Sequence, residues 1–200
     1  MSMSQPRLAA FAKWSAVPAG LLVSAALVWQ ASYAAFSATT SSPTNNWSTG
    51  TVVLADDDSN TAMFTATALK PGSTASKCIA VTSSGSLAST VKLYGTGKTA
   101  TNSLDTHLDL VVEQGTGGTF AGGCTGFTVD AGAANTFTGT LAAFATAYTN
   151  FSNGFGTFAP TGASSQTKVY KVTYTLNASA PNSVQGSTAS MGLTWEAQNS

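Results

Sequence analysis

Charged side chains are scarce in this sequence: 8% of its 200 residues are Asp, Glu, Lys or Arg, against about 25% in an average globular chain. The formal net charge is zero, and loss of Arg7 and Lys13 with the leader described below leaves six basic residues against eight acidic ones, a net −2. No basic stripe exists to neutralise phosphates, which argues against a nucleic-acid partner. Histidine is scarcer still. His107 stands alone, and a zinc peptidase needs two or more imidazoles with a carboxylate, as in H-E-x-x-H. A G-x-S-x-G elbow is missing too, so the abundant serines signal no hydrolase triad, and His107 reads as an exposed or capped strand-end residue. The two cysteines, Cys78 and Cys124, are too far apart for a C-x-x-C redox motif or a metal knuckle.

Long apolar runs are confined to the N-terminus. Met1 to Ala34 has the three-part layout of a signal peptide, with Arg7 and Lys13 in a positive n-region and an apolar stretch from Trp14 to Trp29. Ser32-Tyr33-Ala34 then places small residues where a signal peptidase reads, predicting a cut between Ala34 and Ala35. An uncleaved anchor is the competing reading. Pro18 interrupts the apolar run and no basic cluster follows it, so contact with a membrane is expected only through the leader before cleavage. Residues 35–200 would then be a secreted domain, large enough to bury roughly 70% of the surface its unfolded chain exposes. In an extracellular setting an even cysteine count favours a Cys78–Cys124 disulfide over two buried thiols.

What fills the place of charge is Thr, Ser, Ala, Gly and Asn, arranged with period two between turns. Ala189, Met191, Leu193 and Trp195 alternate with Ser190, Gly192, Thr194 and Glu196; Tyr170, Val172, Tyr174 and Leu176 alternate with Lys171, Thr173 and Thr175. Leu108, Leu110 and Val112 do the same, which would put Asp105, Asp109 and Glu113 together on one solvated strand face. Further strands are predicted at 51–54, 62–69, 77–82, 89–94 and 136–141, separated by turn chemistry such as Lys70-Pro71-Gly72-Ser73 and Gly115-Thr116-Gly117-Gly118. This pattern predicts an all-β chain, a single β-sandwich of jelly-roll-like or immunoglobulin-like kind. One departure is expected: Leu141, Phe144, Tyr148 and Phe151 recur at helical spacing behind Thr140, a candidate N-cap, predicting a short helix near 141–148.

Candidate ligand sites are few. Asp56, Asp58 and Asn60 alternate as oxygen donors in the way a calcium loop begins. Thr61 and Thr67 occupy the places where an EF-hand needs Gly and Glu, which leaves a looser calcium site or an ordinary solvated turn; no other cofactor is expected. Asn46, Asn150 and Asn177 each begin an N-x-S sequon, a match that a Ser- and Asn-rich chain produces by chance.

Three stretches carry a family resemblance. They are Tyr33-Ala34-Ala35-Phe36-Ser37-Ala38-Thr39-Thr40 with the following Asn45-Asn46-Trp47-Ser48-Thr49-Gly50-Thr51-Val52-Val53-Leu54, then Leu69-Lys70-Pro71-Gly72-Ser73, then Gly85-Ser86-Leu87-Ala88-Ser89. In this order they resemble the TasA/camelysin family of secreted bacterial β-sandwich proteins of the biofilm matrix, over about residues 30–95. Ser73 departs from the family's usual Asp, and Ser83 lies where an Asn is usual. The metallopeptidase activity ascribed to camelysin finds no zinc-ligand set here. The resemblance implies a non-enzymatic, extracellular matrix or cell-surface subunit that self-associates or joins other matrix components. It further implies strand donation, with Ala35, Phe36, Ser37, Ala38, Thr39 and Thr40 as the donor strand. The alternative is a secreted carbohydrate- or ligand-binding module without catalysis.

Overall fold

The computed structural model describes residues 37–40 and 51–199. They form strands β1 (Ser37–Thr40), β2 (Leu54–Asp56), β3 (Thr74–Ser83), β4 (Ser89–Ala100), β5 (Leu108–Thr116), β6 (Thr128–Val129) and β7 (Thr136–Thr140), then helix α1 (Leu141–Ala147), β8 (Gln166–Leu176) and β9 (Ala189–Asn199). One sheet runs β1-β9-β4, and the other runs β2-β3-β8-β5 with β6 and β7 both paired to β5. The smaller sheet gains an irregular fourth member. The amides of Ser89, Val91 and Leu93 donate to the carbonyls of Pro160, Phe158 and Phe155 at 2.9, 2.8 and 3.0 Å.

The pairing is nested. β1 lies against β9, β3 against β8, β4 against the segment 155–160, and β5 against β7, always antiparallel. A two-stranded ribbon folded over on itself in this way is a jelly roll, so the topology decides against the immunoglobulin-like alternative.

Alternation explains the core. Ile79 and Val81 of β3, Val112 of β5, and Tyr170 and Val172 of β8 face Val91 and Leu93 of β4 and Trp195 and Ala197 of β9, each buried. The sheets meet edge-to-face where the Tyr170 and Trp195 rings lie 5.5 Å apart. Each such aliphatic side chain contributes about 1.5–3 kcal/mol by leaving water.

Helix α1 forms where expected and ends one residue earlier. The Thr140 hydroxyl accepts from the Ala143 amide at 3.1 Å, satisfying one of the orphan N–H groups of the first turn. Phe144, fully buried, anchors the helix among the rings of Phe137, Tyr148 and Phe155, with centroids 5.1, 4.9 and 6.4 Å away.

Two expectations need correction. Residues 62–69 form no strand. Met63 and Phe64 are consecutive yet both pack against the core, which a pleated strand forbids because neighbours point to opposite faces; Phe64 stands edge-on to Tyr174 at 5.0 Å instead. The expected acidic row holds only in part: Asp109 and Glu113 share the β5 face opposite Leu110 and Val112, half-buried rather than fully solvated, but Asp105 is not on the strand. Asp105 belongs to the 3-10 turn Leu104–Thr106, where it is 5% exposed and paired with Lys98. Asp109 accepts from the Asn177 side chain at 3.0 Å and Glu113 pairs with Lys171 at 3.1 Å. His107 does sit at a strand end, its amide closing the 3-10 turn onto the Leu104 carbonyl at 3.0 Å.

Candidate functional site

The first candidate is the edge of the smaller sheet. Ser37, Ala38, Thr39 and Thr40 are in register with Gln198, Ala197, Glu196 and Trp195 of their own chain. β1 is thus the outermost strand of that sheet, beside β9, whose other edge is filled by β4. Uncharged Ser, Ala and Thr suit such a place because nothing in them opposes extension or a neighbouring strand. Of the expected donor strand, Ala35 and Phe36 lie outside the described residues, as do the leader, the Ala34–Ala35 junction and residues 41–50.

The second is the disulfide. Cys78 of β3 and Cys124 are joined, with Cα atoms 5.2 Å apart across a sequence separation of 46. Cys78 points away from the interior, on the face opposite Ile79, yet has no exposure, because the 117–127 loop is held over it. Asp57 fastens the same loop: its two carboxylate oxygens accept from the amides of Ala80 and Phe120, both at 2.8 Å. Lys77 lies over the Phe120 ring, 4.2 Å from its centroid. The loop turns back tightly enough that a Cβ at Gly117 (φ +82°) would meet the Gly126 carbonyl at 2.1 Å.

The acidic turn is the third. Asp56 ends β2, Asp57 is committed to the contacts just given, and an Asp58 carboxylate oxygen accepts from the Asn60 amide at 2.7 Å. Burial raises the Asp56 carboxyl to about 6, reinforced by the hydrogen bond and the negative charge of Asp58. Asp56, Asp58 and Asn60 are close in space, but among the described residues no group of three or more His, Cys, Asp or Glu side chains is placed to hold a metal ion.

A fourth feature carries no sequence motif. Gln114 of β5 is 1% exposed and bonded through every polar atom of its side chain. Its Nε2 shares two hydrogens among Asp130 Oδ2, Asn135 Oδ1 and Thr157 Oγ1, which lie 3.1, 3.1 and 3.3 Å away. Its Oε1 accepts from the Thr157 amide at 3.0 Å and from the Tyr170 hydroxyl at 3.2 Å. Burial keeps the Tyr170 phenol well above its ordinary range, and so protonated as a donor. Asn135, 5% exposed, accepts a further bond from the Thr157 hydroxyl at 2.7 Å and donates to the Ala131 carbonyl at 2.9 Å. Lys168 pairs with Asp130 at 2.7 Å. These groups border an open cleft of about 520 Å³ at one end of the sandwich. Periodicity could have found Gln114: extending Leu108, Leu110, Val112 by one step puts it on the core face.

No protein-family model matches the chain, and no curated protein matches it in sequence. A disulfide is present, and among the described residues no helix is long and apolar enough to cross a membrane.

Proposed function

We propose that the mature chain is a secreted, non-enzymatic structural subunit that assembles into extracellular fibres by exchanging β1 between neighbouring copies. The observation that carries this reading is that β1, the strand expected to lie next to the proposed cleavage point, is the outermost strand of its sheet, joined to β9 along four residue pairs. Exchange of an identical element replaces each main-chain hydrogen bond by an equivalent one, so subunits are linked at little cost in bonding. The disulfide and the hydroxyl-rich, weakly charged composition suit an oxidising extracellular setting, and the resemblance of residues 30–95 to TasA/camelysin proteins points the same way. Signal-peptide cleavage after Ala34 would release the strand for exchange.

The test uses chain beginning at Ala35. Thr39→Cys and Glu196→Cys are made in separate preparations, since these positions are register partners. After assembly of the mixture, thiol oxidation should give covalent pairs that join one variant to the other, and electron microscopy should show fibres that removal of residues 35–42 abolishes. Fibres persisting in the truncated chain, or a mixture that stays monomeric throughout, would overturn the reading.

A further inference from the structure

We propose that the cleft at the Gln114 end of the sandwich binds a neutral sugar, recognised through adjacent hydroxyls by Asp130, Lys168 and Gln166. This inference stands apart from fibre assembly and uses different residues.

The cleft is large enough, at about 520 Å³, since small-ligand sites run from about 300 to 1,000 Å³. Its floor is built, at a cost in apolar burial. Gln114 and Asn135 occupy places where a valine or leucine would bury more apolar surface, and a buried amide is tolerated only when fully bonded. Full bonding gives the floor one geometry, and it carries outward to the groups at the mouth. Asp130 is held by Gln114 and Lys168, both acting on Oδ2; among the described residues Oδ1 accepts no hydrogen bond. Gln166 is oriented by the Thr161 amide, which donates to its Oε1 at 2.7 Å, so its Nε2 keeps two N–H groups to offer. Lys168 spends one of its three donors on Asp130.

A fixed acceptor thus lies in the same cleft as fixed donors. Charged ligands suit it poorly. Asp130 and Lys168 already neutralise each other at 2.7 Å, so an anion would meet the carboxylate, a cation the ammonium, and a zwitterion would have to separate the pair. A hydroxyl fits without disturbing it, because each hydroxyl both donates and accepts. Vicinal hydroxyls on a sugar ring can bridge Asp130 Oδ1 and a neighbouring N–H together. The Asn135 side-chain oxygen and the Thr157 hydroxyl beneath are committed to the network, so these two act as positioning residues.

The experiment is amide-resolved NMR of the mature chain titrated separately with cellobiose, maltose, lactose and N,N′-diacetylchitobiose, with glycine and sulfate as charged comparators. At least one disaccharide should shift the amides of Thr157, Ala159, Gln166 and Lys168 saturably, and glycine and sulfate should not. Gln166→Ala touches none of the buried network, so it should leave the spectrum and thermal midpoint intact while weakening that sugar at least tenfold; Asp130→Ala should weaken it further. Absence of saturable shifts with all four sugars, shifts only with the charged comparators, or unchanged affinity in Gln166→Ala would each overturn the assignment. Fibre formation by Gln166→Ala is expected to be normal, which keeps failure here distinct from failure of the assembly reading.

Discussion

At the scale of the residue, the three consecutive aspartates have different roles although their sequence makes them look alike. Asp57 stitches β3 to the 117–127 loop through two amides, Asp58 closes its own turn, and Asp56 is left beside Asp58 with its carboxyl raised from 3.8 to about 6. A raised carboxyl binds its proton more tightly in the folded state than in the unfolded one. Its contribution to stability is therefore present below pH 3.8 and is lost as the pH rises to about 6. A tenfold change in proton affinity corresponds to about 1.4 kcal/mol, and solvent screens a part-exposed group, so Asp56→Asn should stabilise the protein at pH 7 by about 1 kcal/mol. Urea unfolding near pH 4 and pH 7 checks this: the variant's advantage should appear at the higher pH and vanish at the lower. The differing roles could not be read from Asp56-Asp57-Asp58, because they depend on Ala80 and Phe120, distant in sequence.

At the scale of the element, local patterns carried much of the prediction. The period-two runs at Tyr170–Leu176 and Ala189–Trp195 are β8 and β9, and the helical spacing behind Thr140 is α1. Each of these has an apolar face long enough to state its own period. The Ala/Thr alternation at 62–69 lacks one, and the segment 155–160, Gly- and Pro-bearing, acts as a strand only because β4 offers it a free edge. Helix α1 is too short to persist alone, so its stability should reside in the aromatic cluster. Phe144→Ala should cost about 3–5 kcal/mol, seen as a lowered denaturant midpoint, whereas Thr140→Ala should cost only about 1 kcal/mol.

At the scale of the whole molecule, the Cys78–Cys124 bridge closes a 46-residue span and holds a loop over the outer face of the larger sheet. On the chain-entropy model such a bridge contributes about 4 kcal/mol. The double substitution of Cys78 and Cys124 by serine should lower the thermal midpoint, and limited proteolysis should then cut within residues 117–127, since the Asp57 bonds and the Lys77–Phe120 and Lys171–Phe127 contacts are non-covalent and let the loop open without the bridge. Cleavage elsewhere first would mean that the loop is held without the bridge.

The sequence by itself determined that the chain is β-rich and where its best strands and its helix lie, because periodicity and capping are local signals, while its even cysteine count only favoured the Cys78–Cys124 bridge that the structure shows. Only the tertiary structure decided the jelly-roll order, the position of β1 as an edge strand, and the polar floor around Gln114. Strand partners are chosen by hydrogen bonds between residues far apart in the chain. Whether a buried amide is a liability or a built surface depends on the groups that such pairing brings to meet it.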